Sequence, residues 1–179
     1  MKAKIYTSPE NISFRDRFKK SIFLAGSIEM GKAEDWQKKL GDILLEKGFN
    51  TFNPRRKDWD ASWISSYTNP QFSQQVRWEL NALQKSDTII VYIDPNTISP
   101  ITLMEVGLHS QTGKLLIVCP DGFFRKGNIE VVCDIYDIPL FNTLEELLDS
   151  NHFDDSKKSL SDVVKSFLTR IFRSLTKII

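Results

Sequence analysis

Cysteine is scarce in this 179-residue chain. Cys119 and Cys133 stand without any metal-ligand spacing, so neither a disulfide framework nor a zinc module organises the fold, and both are expected as buried structural thiols. No run of about 18 apolar residues occurs, and the N-terminal stretch MKAKIYTSPENISFRDRFKK lacks the apolar centre of a secretory signal. A cytoplasmic location without a membrane span is therefore expected. An excess of one charge is missing too: 24 Lys and Arg face 23 Asp and Glu, a formal net charge of +1. No global field then recruits a nucleic-acid polymer, and a small ligand is the expected partner. With 41% hydrophobic and 26% charged residues, the composition excludes collagen-like and wholly disordered chains. The length suits one domain with a proper core.

What is present is a rhythm of strands and helices. Ser21 to Ala25 (SIFLA) reads as a buried strand ending at Gly26-Ser27, after at most a short strand at Lys4 to Thr7. Glu34 to Lys47 carries Trp36, Leu40, Ile43 and Leu44 at helical spacing, with Gly48 as its C-cap. Phe49 to Asn53 is a second strand stopped by Pro54, and an exposed loop rich in Trp, Tyr and Ser follows. Gln71 to Lys85 is a helix whose apolar positions are Phe72, Val76, Leu80 and Leu83, and Thr88 to Ile93 (TIIVYI) is a strand. Ser99 as N-cap and Pro100 as first residue open a helix running to about Thr112, closed by Gly113. Leu115 to Cys119 is another buried strand. Short helices at Asn128 to Tyr136 and Thr143 to Ser150, and an edge strand at Ile138 to Phe141, complete the domain. Alternating strands and helices with short connections imply an α/β fold with a parallel sheet between helices. The domain is read over 1–155, and 156–179 as an amphipathic helix. Lys157, Lys158, Lys165, Arg170, Arg173 and Lys177 against Asp162 make that helix basic. Packing on the domain or at an interface is favoured over a membrane surface or an acidic partner.

In open parallel sheets ligands bind beyond the carboxyl ends of the strands, where loops and helix N-termini converge. Three loops fit: Gly26 to Gly31, Asn53 to Arg56, and Asp94 to Pro100. The first is not a G-x-G-x-x-G fingerprint. Glu105 falls in the second turn of its helix, facing this crevice, with Gly107 after it to permit tight helix packing. Glu79 borders the apolar face of the preceding helix, where a carboxylate needs a partner or a task. Spacing alone leaves each open to an ordinary surface or ion-paired role. His109 follows Glu105 by one helical turn, but two ligands without a third make no metal site. No metal or cofactor is expected.

The segments IFLAGSI (Ile22 to Ile28), FNPRR (Phe52 to Arg56), QVRWELNALQKSDTIIVYI (Gln75 to Ile93) and SPITLMEVGLHSQTGKLLIV (Ser99 to Val118) together resemble the nucleoside 2-deoxyribosyltransferase-like family. PLFNTLEELL, beginning at Pro139, is similar to its usual ending. The resemblance implies a Rossmann-like sheet of flavodoxin type with helices on both faces. It also implies an enzyme that breaks the N-glycosidic bond of a nucleoside or nucleotide and passes the sugar to another nucleobase or to water, without a cofactor. The Glu of the family's E-x-G motif is its nucleophile and matches Glu105. An acid on the preceding helix that handles the base or its proton matches Glu79, and Asp94 is a second candidate for that work. A carboxylate suits the step because it traps the oxocarbenium-like sugar as an ester. Gly26 and Ser27 match the positions after the first strand, where Ser27 is placed to hydrogen-bond a sugar or phosphate.

One position departs from the family pattern. Its transferases carry an Asp six residues before the nucleophile, where this chain has Ser99, so base recognition or protonation must differ. Branches acting on nucleoside monophosphates use Ser and Arg groups near the 5′ end, a role open to Arg55 and Arg56, and a surface ion pair is the plain alternative. Asn53 belongs to the same loop. Trp59, Trp63, Tyr67 and Phe72 suit the wall of a base site or a hydrophobic cover under a long loop. The resemblance further implies a homo-oligomer in which a neighbour completes the site. The competing reading from another class is a non-catalytic nucleotide-sensing module on the same fold.

Overall fold

A computed structural model describes residues 2–12, 19–27, 35–56, 58–60 and 62–153. Among the described residues six strands and five α-helices follow one another: β1 (Ile5–Thr7), β2 (Ser21–Gly26), α1 (Trp36–Glu46), β3 (Asn50–Asn53), α2 (Pro70–Lys85), β4 (Thr88–Tyr92), α3 (Pro100–His109), β5 (Leu115–Val118), α4 (Lys126–Tyr136), β6 (Leu140–Phe141) and α5 (Leu144–Asp149). All strand pairs are parallel, in the order β1-β3-β2-β4-β5-β6. Without β1 this is the flavodoxin order, and β1 extends the sheet beside β3. From Glu145 onward the chain forms a second compact unit, whose described part is most of α5 and a 3-10 turn at Asn151–Phe153. The amphipathic helix expected at 156–179, and Ile28 to Glu34 after β2, lie outside the described residues.

The strands β2, β4 and β5 form because their apolar runs are buried on both faces. Phe23, Leu24, Ile89, Ile90, Val91 and Ile117 are each 0% exposed, and burying such a side chain contributes about 1.5–3 kcal/mol. One face, carrying Phe23, Ala25, Ile89, Val91 and Ile117, packs with Ala82 and Leu83 of α2, Val106 of α3 and Ile129 of α4. The other takes α1, where a Cβ on Gly41 would stand 3.5 Å from Ile5 and 3.7 Å from Leu24. Both cysteines are buried and free.

Helix ends are set by side chains. Asp35 caps α1 by accepting from the Lys38 amide at 3.1 Å, and Asn69 caps α2 by accepting from the Phe72 amide at 3.0 Å. Lys47 is the C-cap of α1, and Gly48 follows it at φ +91°. Helix α3 stops at His109 rather than near Thr112, because the Thr112 hydroxyl and amide both turn back onto the His109 carbonyl, at 2.6 and 3.0 Å.

Two further expectations are corrected. The buried face of α2 runs through Gln75, Trp78, Ala82 and Leu83, while Leu80 is 43% exposed and Phe72 and Val76 are half-buried. Trp78 sets this rotation: it has more apolar area to bury than Val76 or Leu80, and its indole N–H donates to the Glu10 carbonyl at 2.8 Å. Gly107 permits no tight packing among the described residues, for it is exposed and a Cβ there would meet none of them within 4 Å.

Candidate active site

The carboxyl ends of β2 and β4 meet through hydroxyl groups. Ser27 Oγ lies 2.9 Å from Thr97 Oγ1 and 2.5 Å from Ser99 Oγ, and Thr97 Oγ1 lies 2.6 Å from Ser99 Oγ. The Asp94 amide donates to Ser27 Oγ at 3.1 Å, while the Thr97 hydroxyl donates back to the Asp94 carbonyl at 2.8 Å. The loop after β4 is thereby laced onto the residue after β2. Ser99 stands at the N-cap position of α3, as expected, yet its side chain makes no cap bond. Its hydroxyl is committed to Ser27 and Thr97, and its backbone is left-handed at φ 46°, a conformation costing a non-glycine residue about 1 kcal/mol or more.

Gly26 is required by the same junction. Its φ is +143°, and a Cβ would fall 2.1 Å from the Tyr92 carbonyl oxygen and 2.9 Å from the Trp36 ring. Trp36 closes the other side: its N–H donates to the Ser27 carbonyl at 3.1 Å, and its ring lies 5.2 Å from that of Tyr92.

Helix α3 buries Thr102, Glu105 and Val106 and turns Ile101, Met104 and Leu108 outward at 50–58% exposure. Packing alone would choose the reverse, since a carboxylate is among the costliest groups to bury and an aliphatic side chain among the most favourable. Glu105 is 7% exposed and has no hydrogen-bond donor among the described residues. Burial, with the Glu79 charge adding to it, pushes its carboxyl up to about 8. Glu79 on α2 is raised by burial as well, opposed by the Gln75 side-chain amide, which donates to Glu79 Oε1 at 2.8 Å. The same amide nitrogen donates to the Pro54 carbonyl at 2.8 Å. The charge of an acid on α2 therefore acts on an acid of α3. Carboxyls pushed apart in this way are a recurring mark of acid and nucleophile pairs.

The remaining expected residues hold the surrounding loops. Asp94 Oδ1 accepts from the amide and the side chain of Asn96, at 2.8 and 3.2 Å, closing a turn. Asn53 Oδ1 accepts from the Arg55 amide at 2.9 Å. Arg55 approaches Asp35 at 3.8 Å. Arg56 forks onto Asp58 at 2.7 and 2.6 Å and lies over the Trp63 ring at 5.0 Å, while its buried Nη1 has no partner among the described residues. Trp59 meets Trp63 edge-on at 5.1 Å and is 39% exposed. Tyr67 stands 80% exposed, with the Arg77 guanidinium 5.6 Å from its ring centre. The structure thus joins Gly26, Ser27, Asp94 and Ser99 in one cluster and Glu79 with Glu105 in another, and ties Asn53, Arg55 and Arg56 to the loop after β3. Thr97 and Gln75 were missed by the sequence reading. Gln75 stands one turn before Glu79, a spacing that signals contact on a helix. Among the described residues no group of His, Cys, Asp and Glu has the arrangement of a metal site, and no helix is long and apolar enough to cross a membrane.

A profile described as "nucleoside 2-deoxyribosyltransferase like" matches residues 19–123, more than half of the chain, including both acids and the hydroxyl cluster. Among solved structures, the chain is similar to a conserved protein from Enterococcus faecalis V583, at 13% identity and a TM-score of 0.53, over 73% of this chain and 96% of that one. That likeness is one of fold. The Clostridium botulinum CMP N-glycosidase BcmB matches at 21% identity and a TM-score of 0.46, over 72% of this chain and 95% of that one. A search of the curated proteins gives no match.

Proposed function

This chain belongs to the nucleoside 2-deoxyribosyltransferase-like family, and from that premise we propose that it cleaves the N-glycosidic bond of a (deoxy)nucleoside or nucleotide with Glu105 as nucleophile. The observation carrying this reading is the inverted face of α3, which buries a carboxyl with no hydrogen-bond donor among the described residues and leaves aliphatic side chains exposed. As the C1′–N bond breaks, its electron pair leaves with the base, and Glu105 adds to C1′ to give a glycosyl ester. Glu79 supplies the proton that neutralises the departing base. An incoming base, or water, then attacks C1′, gives its proton back to Glu79 and frees Glu105, so one machinery serves transfer or hydrolysis. Ser27 and Ser99, on the tight junction that Gly26 permits, border the sugar and its 5′ end. Asp94 holds the loop that carries Thr97 and Ser99. Asn53, Arg55, Arg56 and Trp59 border the base or phosphate end.

The deciding experiment incubates wild type and Glu105→Ala with deoxyribonucleosides, ribonucleosides and their 5′-monophosphates, with and without a free base, and follows base release and exchange by chromatography. Base release by the wild type that is lost in Glu105→Ala is the expected result. Saturable nucleotide binding with no turnover of any substrate would instead mark a sensing module.

A 5′-monophosphate is the second substrate reading, favoured by the crest at the start of α3. Hydroxyls occupy it in place of a carboxylate, and the free amides of a helix N-terminus favour an anion. A preference for monophosphates over nucleosides in the same panel supports it, and the opposite preference removes it.

A further inference from the structure

Gln75 is 4% exposed and bridges two elements, donating through one nitrogen to the Pro54 carbonyl after β3 and to Glu79 Oε1 on its own helix, both at 2.8 Å. A carbonyl oxygen only accepts, so the bond to Pro54 fixes which end of the amide faces it. The reversed amide would set its oxygen against two acceptors at once. The oxygen, in the orientation that remains, is buried and has no donor among the described residues. Glu79 thus receives an N–H, and an N–H delivered to a carboxyl oxygen favours the charged form. The groups facing the two acids are few. Glu79 meets the Gln75 amide, Glu105 meets the Glu79 charge, and among the described residues no Lys, Arg or His acts on either carboxyl.

We propose that Gln75 is the positioning residue that decides which of the two acids holds the proton, keeping Glu79 ionised and Glu105 protonated in the resting site. The reaction proposed above needs the opposite assignment, and this inference rests on that reading for its functional meaning. When substrate enters, Glu105 must release its proton and Glu79 must gain one, with no change in the total charge of the pair. Glu105 becomes the nucleophile only at that moment. Such an arrangement protects a reactive carboxylate from ionising in an empty site.

The test reads the two carboxyls directly. Wild type, Gln75→Leu and Gln75→Met are labelled with glutamate carrying a carbon-13 carboxyl and titrated by nuclear magnetic resonance, with Glu79→Gln and Glu105→Gln assigning the signals. Loss of the amide is expected to raise the Glu79 midpoint by about one pH unit. Glu105 then begins to lose its proton at lower pH, because the neighbouring charge arrives later. Gln75→Met keeps the side-chain length and serves if the leucine variant does not fold. Midpoints unchanged in the folded variant overturn the proposal, as does a wild type in which Glu105 ionises before Glu79. Absence of base release from every substrate sinks the glycosidic reading, while the titration still decides the role of Gln75.

Discussion

Glu79 of α2 and Glu105 of α3 do not titrate as strangers: the charge of the first adds to burial in pushing the second up to about 8. The pair, rather than either residue, is the unit that binds protons at this crest.

The catalytic pH profile should show this. With one proton needed on the pair, kcat/KM should rise as the first carboxyl ionises and fall above about pH 8, where the second proton leaves. Glu79→Gln is expected to slow base release by about 100-fold or more and to replace the fall with a rise to a plateau. Its inflection should lie below 8, since the charge that raised Glu105 is gone. Steady-state kinetics across pH on both proteins check this, and an alkaline fall retained in Glu79→Gln removes Glu79 as the acid.

Stability is linked to the same carboxyl. The folded value of about 8 exceeds the ordinary 4.5, so between these limits the native state holds a proton that the unfolded chain has released. Wild-type stability therefore declines as pH rises through that window and is level above it. Glu105→Gln carries no such penalty, and its melting temperature should match wild type near pH 4.5 and exceed it increasingly toward pH 8. Thermal unfolding across this range measures the difference, and a constant offset contradicts the linkage.

Gly26→Ala should be among the most destabilising changes in the chain. The added carbon meets the Tyr92 carbonyl at 2.1 Å in a backbone conformation that L-residues seldom adopt. A loss of about 3 kcal/mol or more is expected from denaturant unfolding. A loss below about 1 kcal/mol shows that the junction of β2 and β4 yields easily.

Ser99→Asp brings to the crest a carboxylate that the family's transferases have and this chain lacks. It should reduce kcat/KM for 5′-monophosphates at least about tenfold more than for nucleosides, through like-charge repulsion and loss of the contacts to Ser27 and Thr97. Equal losses on both substrate classes place the 5′ phosphate elsewhere.

Much of this fold was legible in the residues. SIFLA and TIIVYI are dense enough in apolar residues to be strands under almost any tertiary arrangement, and the chain places them at the sheet centre. The placement of Glu105 on a helix beyond β4 was legible because the E-x-G segment and the turn-forming loop before it lie in one readable stretch. The rotation of α2 was not. Periodicity weighs Val76 and Leu80 as core residues, but one indole, bonded to a carbonyl far away in sequence, turns the helix so that a polar Gln75 is buried instead. Thr97 was missed for a related reason: a hydroxyl in a turn-rich loop looks solvated until the loop is folded back onto β2. For Arg56 the residues left a ligand role and an ion pair both open, and its fork is engaged by Asp58, two residues away in a loop whose course no local pattern dictates.

The parallel pairing of β2 with β4, from Ile22 opposite Thr88 to Gly26 opposite Tyr92, acts as a ruler for the chemistry above it. Neighbouring strands are held about 4.8 Å apart by backbone hydrogen bonds, whatever side chains they carry. The span from Ser27 to the Asp94 loop is therefore metered by the peptide backbone rather than by the fit of the core. A methyl group trimmed beneath the sheet lowers stability without moving the graduations of that ruler. Precision at the crest and tightness in the core are separate properties of this molecule, free to be altered one at a time.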